Sequence, residues 1–238
     1  MFDQMFRNMT PVVKNLLIIN VLIFAIVRIA ALKGVDLVSL LALNHYSSAG
    51  FYPFQYVSSM FLHFDPFHLF ANMIGLVSFG SNLERFIGAK KMLMLYLISG
   101  LAGNLFYHGF HMGELWFFGE NIFNGTEDFK NFIYPLNHRE NVDVVSQIVV
   151  SKALGASGAV FGIFAGVFRY FPNTQVMLMI PPVPLKIKVL FAILMVGSLV
   201  LSIFPFMMQG IAHMAHFGGG VAGLALVEIW QRDKTRFY

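Results

Sequence analysis

The sequence predicts an all-α integral membrane protein, a bundle of six membrane-spanning helices. Three observations point there. The chain of 238 residues is 57% hydrophobic and only 12% charged, about half the charged share of an ordinary soluble domain. Its mean hydropathy is +0.69. Its apolar residues fall into six runs, with basic residues gathered at the run ends, where topology signals sit. Cysteine is absent, which excludes disulfides, iron–sulfur clusters and thiolate zinc sites. A net charge of +4 scattered over the run ends does not suggest nucleic acid. The partner this composition implies is the lipid bilayer.

Residues 1–14 read as a short polar and amphipathic lead, 15–230 as the membrane domain and 231–238 as a charged tail. The first apolar run, Asn15 to Ala31, reaches spanning length with Leu32 to Val35. Arg28 lies inside it and is expected to snorkel to the nearby end. The run is too long for the h-region of a signal peptide and has no small-residue cleavage site after it, so no cleavable signal is expected. Residues 33–66 read as a connection in the membrane interface, where the aromatic cluster from Phe51 to Tyr56 belongs. The second span is expected over Pro66 to Ser81 and the third over Met92 to His111, followed by a long connection over 112–152. The fourth span is expected over Ala153 to Phe171, where Pro172-Asn173 breaks it. The Pro181-Pro182-Val183-Pro184 run reads as a rigid link. Ile187 to Phe206 and Gly210 to Trp230 complete the six. No internal repeat of the kind that builds inverted-repeat transporters is visible.

Six spans put both termini on one side. Eleven of the 16 Lys and Arg residues then share that side and four the other, with Arg28 left inside the first span. The positive-inside rule makes the basic side, and both termini, cytoplasmic. With short termini and no transit peptide, the expected location is a bacterial inner membrane.

Parity also sets depth. The second, fourth and sixth spans all enter from the outer side. His68 and Asn72 lie near the start of the second, Ser157 five residues into the fourth, and His213 and His216 three and six residues into the sixth. The polar groups able to carry acyl transfer thus share one depth. Ser157 has a packing reading: Gly158, Gly162 and Gly166 form overlapping G-x-x-x-G steps that draw another helix close, and Ser is common at such contacts. The chemical reading makes Ser157 a nucleophile, which needs a base and an oxyanion hole at its own depth. His68 and Asn72, four apart, share one helical face and offer N–H donors; their other reading is helix–helix hydrogen bonding in lipid. His213 and His216 compete for the role of base. The step from Gly219 to Gly223 fits the glycine ridge of the fourth span and would set His216 beside Ser157, whereas His213 has no such support and reads as a cap on the helix start. The outer acids lie in connections, so the expected form is a Ser–His dyad, its imidazole oriented by packing on Phe161, one turn after Ser157. His63 and His68, five apart, lack the i, i+4 spacing of a helical zinc site, Asp65 could contribute only where the chain is not helical, and neither metal nor other cofactor is expected. His45, His108, His111 and His138 read as interfacial residues.

Taken in order, these motifs resemble those of the rhomboid intramembrane serine proteases. His63-x4-His68-x3-Asn72 is similar to the family's second-span motif, and Glu84-x3-Gly88 to the end of that span. Gly155-Ala156-Ser157-Gly158 is similar to its G-x-S-G nucleophile motif, and Ala215-His216-Phe217-Gly218-Gly219 to its sixth-span A-H-x-x-G motif. The resemblance runs over residues 15–230. It implies Ser157 as nucleophile and His216 as general base, with His68, Asn72 and the Ser157 N–H binding the oxyanion. His63 would be structural, with Gly155, Gly158 and Gly219 shaping the site. The fifth helix and residues 206–210 would act as gate and cap, and the substrates would be transmembrane proteins cut near the outer face. Where the family often carries Trp-Arg in its first outer connection, this chain has Phe54-Gln55, and its 112–152 connection is long for the family. Two other readings stand beside this one. A non-proteolytic rhomboid-like protein that binds membrane clients would need neither Ser157 nor His216. A transporter or channel would be expected to show repeats or intramembrane acids.

Overall fold

The computed structural model describes residues 8–46, 48–124, 151–177, 183–203 and 212–235. Parts of the expectations above lie outside the described residues: 1–7, 125–150, the prolines at 181 and 182, the cap at 206–210, His138 and 236–238. The order of elements is α1 (Pro11–Leu32), α2 (Leu37–Leu41), β1 (Leu43–Asn44), α3 (Gln55–Ser58) with a 3-10 turn at Ser59–Phe61, α4 (Pro66–Ile87), α5 (Ala89–Asn124), β2 (Lys152–Ala153), α6 (Ser157–Tyr170), β3 (Gln175–Met177), β4 (Pro184–Lys186), α7 (Ile187–Ile203) and α8 (His213–Thr235). Among the described residues helices dominate, and the strands form two short antiparallel ladders, β1 with β2 and β3 with β4.

α1 begins at Pro11, whose fixed φ and missing N–H suit the first helical position. Thr10 precedes it and makes no side-chain cap of its own. The cap comes instead from Glu84, buried near the end of α4. Its carboxylate accepts the Val12 N–H at 3.1 Å, the Val13 N–H at 3.0 Å and the Thr10 hydroxyl at 2.5 Å. Arg85 beside it donates to the Asn8 carbonyl. Glu84→Ala strips α1 of this cap and is expected to destabilise the protein by about 0.5–2 kcal/mol. Glu84→Gln keeps an acceptor and is expected to lose less. Thermal unfolding midpoints in detergent would check both; equal losses would show that the charge matters and the cap does not.

α1 buries Val13, Leu16, Asn20 and Val27, a helical stripe, and leaves Ile18, Leu22, Ile26 and Ile29 exposed on an apolar outer face. It is long and apolar enough to cross a membrane, with a mean hydropathy of 2.4 over its 18-residue window. α6 and α7 are shorter apolar helices. Arg28 does more than reach for the helix end: its guanidinium donates to the Phe64 carbonyl at 2.6 Å, tying α1 to the chain just ahead of α4.

The structure departs from the expected spans in ways that shape the site. The 33–66 connection folds inward, and Leu43, Asn44, His45, Gln55, Ser59, Met60 and Leu62 are buried. This is possible because amide side chains satisfy the loop's backbone. Gln55 donates to the Leu40 and Gly50 carbonyls and accepts from the Asn44 N–H. The Asn44 amide donates to Ser39, Ala42 and Gly50. The fourth apolar run is not helical from Ala153. Residues 152 and 153 are strand, with Ala153 opposite Leu43 and Lys152 opposite Asn44, and α6 starts only at Ser157. α4 continues past Ser81 to Ile87, where Gly88 at φ +85° ends it. α5 continues past His111 to Asn124, since no proline interrupts it and hydropathy marks lipid contact rather than helix ends. The proline run ends in β4, which pairs with β3 through Val176 opposite Leu185.

The core joins α1, α4, α5, α6, α7 and α8, with Leu76, Leu95, Tyr96 and Ile163 fully buried. α6 and α8 meet backbone to backbone. A Cβ on Gly223 would stand 2.5 Å from the Gly162 Cα and 2.8 Å from its oxygen. Neither atom can move aside as a side chain would. Gly223→Ala is therefore expected to cost about 1–3 kcal/mol by overpacking. An unchanged unfolding midpoint would contradict that close contact. At the far end of the pair, Arg169 Nε and Glu228 Oε2 lie 2.5 Å apart.

Candidate active site

The site is built around the turn that leads into α6. Gly155 has φ +130°, a conformation that favours glycine, and its N–H donates to the Ser59 carbonyl at 2.9 Å. Ala156 follows as the N-cap, so Ser157 is the first helical residue. The first helical bond here runs from the Val160 N–H to the Ala156 carbonyl. The N–H groups of Ser157, Gly158 and Ala159 therefore stand outside the ladder at the positive end of the helix.

α8 brings His216 to this point. His216 Nε2 lies 2.7 Å from Ser157 Oγ. The imidazole is stacked on Phe161, one turn along α6, with ring centroids 4.6 Å apart and planes 14° apart. Phe161 thus fixes the ring plane from one helix while α8 fixes its base. His213 meets His216 edge to face at 5.9 Å; of the two histidines, it is His216 that bonds the serine. Gly158 lets α8 come near, since a Cβ there would stand 3.2 Å from the Ala215 carbonyl oxygen. Gly219 packs on the Gly158 backbone.

α4 supplies the third side. Asp65 caps α4 by accepting the His68 N–H at 2.8 Å. The His68 Nδ1 accepts a long 3.5 Å bond from the Phe64 N–H, which leaves the ring hydrogen on Nε2. That Nε2 edge lies against the serine turn: a Cβ on Gly155 would be 2.9 Å from His68 Nε2 and 3.6 Å from Ser157 Oγ. Glycine at 155 thus leaves room for the His68 edge. Asn72 is buried and donates one amide hydrogen to the His68 carbonyl at 3.0 Å. No hydrogen bond joins it to Ser157 or His216 among the described residues. His63 is buried at 3% exposure, edge to face with His68 at 5.1 Å. Among the described residues no cluster of three or more His, Cys, Asp or Glu is arranged to hold a metal.

A serine hydroxyl bonded to an imidazole at the start of one helix, with the edge of a second imidazole against the same turn, has the parts of an acyl-transfer site. A model of the Rhomboid domain matches residues 51–232, well over half of the chain. The chain belongs to the rhomboid family. Rhomboid protein 1, mitochondrial, of Saccharomyces cerevisiae is 33% identical over 129 residues, which is 54% of this chain and 28% of that protein. RHOMBOID-like protein 12, mitochondrial, of Arabidopsis thaliana is 28% identical over 95% of this chain and 60% of its own length. Rhomboid protease AarA of Providencia stuartii is 25% identical over 74% of this chain and 54% of its own. The chain thus spans less than two thirds of each of these relatives. Rhomboids are membrane-embedded, and this one has an all-α membrane fold. Two of the three relatives are named mitochondrial, so they lend no support to the bacterial inner membrane expected above.

Sequence reasoning missed one part of this rhomboid site. His45 and His108, read as interfacial, are 2% and 3% exposed. The Tyr56 hydroxyl is 2.7 Å from His108 Nδ1, and His108 Nε2 is 2.9 Å from the Asn44 carbonyl oxygen. Asn104, one turn before His108, donates to the Tyr56 carbonyl and to Ser59 Oγ. A polar pair four apart in an apolar run was the available signal, the same one that marks His68 and Asn72. His111 instead bonds Glu114 at 2.6 Å. A cavity of about 480 Å³ lies elsewhere, lined by Asn82, Arg85, Val167 and Phe171 among others. It is at the opposite end of α6 from Ser157.

Proposed function

We propose that this chain is a serine endopeptidase that cuts membrane-anchored proteins, with Ser157 as nucleophile and His216 as general base. The observation that carries the reading is the 2.7 Å contact between His216 Nε2 and Ser157 Oγ. Activation needs the Oγ–H to donate to Nε2, with the ring hydrogen on Nδ1. Oγ attacks the peptide carbonyl and His216 takes its proton. The oxyanion forms at the start of α6, within reach of the Ser157 N–H and the His68 Nε2–H, and Asn72 has a second amide hydrogen to offer. His216 then gives its proton to the leaving amine, whose C–N bond breaks, and a water deacylates the serine. No acid is needed to hold the imidazole, because the stacked Phe161 ring holds its plane.

In this reading α1, α4, α5, α6, α7 and α8 all cross the bilayer, and both termini face the side where the basic residues gather. The 14 residues of α6 make it about 21 Å long, against about 30 Å of hydrocarbon. Ser157, at its start, is recessed below the opposite face. A water-filled mouth there must admit both substrate and water.

The experiment is cleavage of a transmembrane substrate by the purified chain in detergent, alongside labelling by a fluorophosphonate. Cleavage with labelling at Ser157 supports the endopeptidase. Retained binding of a membrane client without cleavage or labelling would favour the client-binding reading instead.

A further inference from the structure

We infer that Asn104 and His108 are positioning residues, which set the strand and turn carrying Ser157 without touching the reacting atoms. The inference rests on the endopeptidase reading above. The two residues lie four apart on one face of α5. The Asn104 amide gives one hydrogen to the Tyr56 carbonyl at 2.8 Å and one to Ser59 Oγ at 2.9 Å. Ser59 in turn accepts the Gly155 N–H on its own carbonyl at 2.9 Å. His108 Nε2 lies 2.9 Å from the Asn44 carbonyl oxygen, which can only accept, so Nε2 carries the hydrogen and Nδ1 accepts from Tyr56 at 2.7 Å. Asn44 is the β1 residue opposite Lys152.

α5 therefore grips both supports of residues 152–155. Through Asn44 it holds the strand at one end, and through Ser59 it holds the turn at the other. Such a grip is needed, because the β1–β2 ladder has only two residues a side, and an isolated pair of short strands is marginal at best. Ser59, Asn44, Asn104 and His108 are all buried, where a hydrogen-bonded polar network rigidifies its surroundings. Gly155 is the point where this matters for chemistry. It sits between His68 and Ser157, so a shift of a few tenths of an ångström there moves the nucleophile relative to its oxyanion donor.

The test uses the full chain in detergent and compares Asn104→Ala, Ser59→Ala, the double variant, His108→Phe and His108→Gln. For each, kcat, KM, the fluorophosphonate labelling rate and the unfolding midpoint are measured. Asn104→Ala and His108→Phe are expected to lower kcat and labelling rate at least about fivefold while KM stays within twofold. The double variant is expected to be no slower than Asn104→Ala, because Asn104→Ala already removes the Ser59 bond along with the one to Tyr56. His108→Gln, which keeps a donor for Asn44, is expected to recover most of the loss. Should Asn104→Ala fail to fold, Ser59→Ala, which loses only the hydroxyl bonded by Asn104, is expected to lower kcat and labelling rate in the same direction by a smaller factor. A fallen midpoint with unchanged kcat and labelling would make the network purely structural and overturn the inference, as would losses that multiply in the double variant. If the unmodified chain neither cuts nor labels, the endopeptidase reading falls and takes the inference with it. If the unmodified chain works and the variants match it, only the inference falls.

Discussion

Ser157→Ala is expected to abolish both cleavage of a membrane-anchored substrate and fluorophosphonate labelling, with the unfolding midpoint close to that of the unmodified chain. In a soluble serine protease the nucleophile or its histidine alone is worth about 10⁶-fold in kcat, and removing both costs little more. His216→Ala is expected to behave the same way, since Oγ and Nε2 act through one 2.7 Å contact. The double variant is then no slower than either single one. Turnover by Ser157→Ala within tenfold of the unmodified chain would place the chemistry at another residue. A loss for His216→Ala that multiplies with the Ser157→Ala loss would mean that the contact is not where the two residues cooperate.

The second large effect is at the oxyanion. His68→Phe keeps a flat ring against His63 but removes the ring nitrogen whose edge lies against the serine turn. Loss of one such donor is expected to lower kcat by about 10²–10³-fold, with KM little changed, because the bond strengthens only as charge develops on the oxygen. Steady-state kinetics on one substrate separates the two parameters. A rise in KM at constant kcat would make His68 a substrate-binding residue and leave the Ser157 N–H as the donor.

Much of this site was legible because helices impose a simple geometry on a chain. Counting six expected spans gave each helix an expected side of entry, and on that count Ser157, His216 and His68 fall at one depth. The glycine spacing at Gly219 and Gly223 indicated where α8 meets α6. What stayed hidden was whatever does not follow from apolarity. Residues 153–171 form one apolar run, yet its first four residues are strand and turn, because a buried extended segment and a buried helix look alike by hydropathy. The 33–66 connection looked interfacial from its aromatic rings. What turns it inward is the amide of Gln55, fully buried, whose partners are backbone groups that no side-chain pattern reveals. Asn104 and His108 were visible as letters, but their partners lie about 50 residues away, on a loop whose path the sequence does not show. Asn72 is a milder case. Its helical face was evident, but not that it would spend one hydrogen on the carbonyl of His68.

The cap on α1 has a consequence for how the molecule is made. The carboxylate that completes the first turn belongs to a residue 72 positions later than the Val12 amide it receives. During synthesis α1 exists for some time before Glu84 has been added. Over that interval its leading amides lack this carboxylate. The cap closes only when the second long helix arrives. Formation of α1 and the closing of its cap are thus two separate events in time.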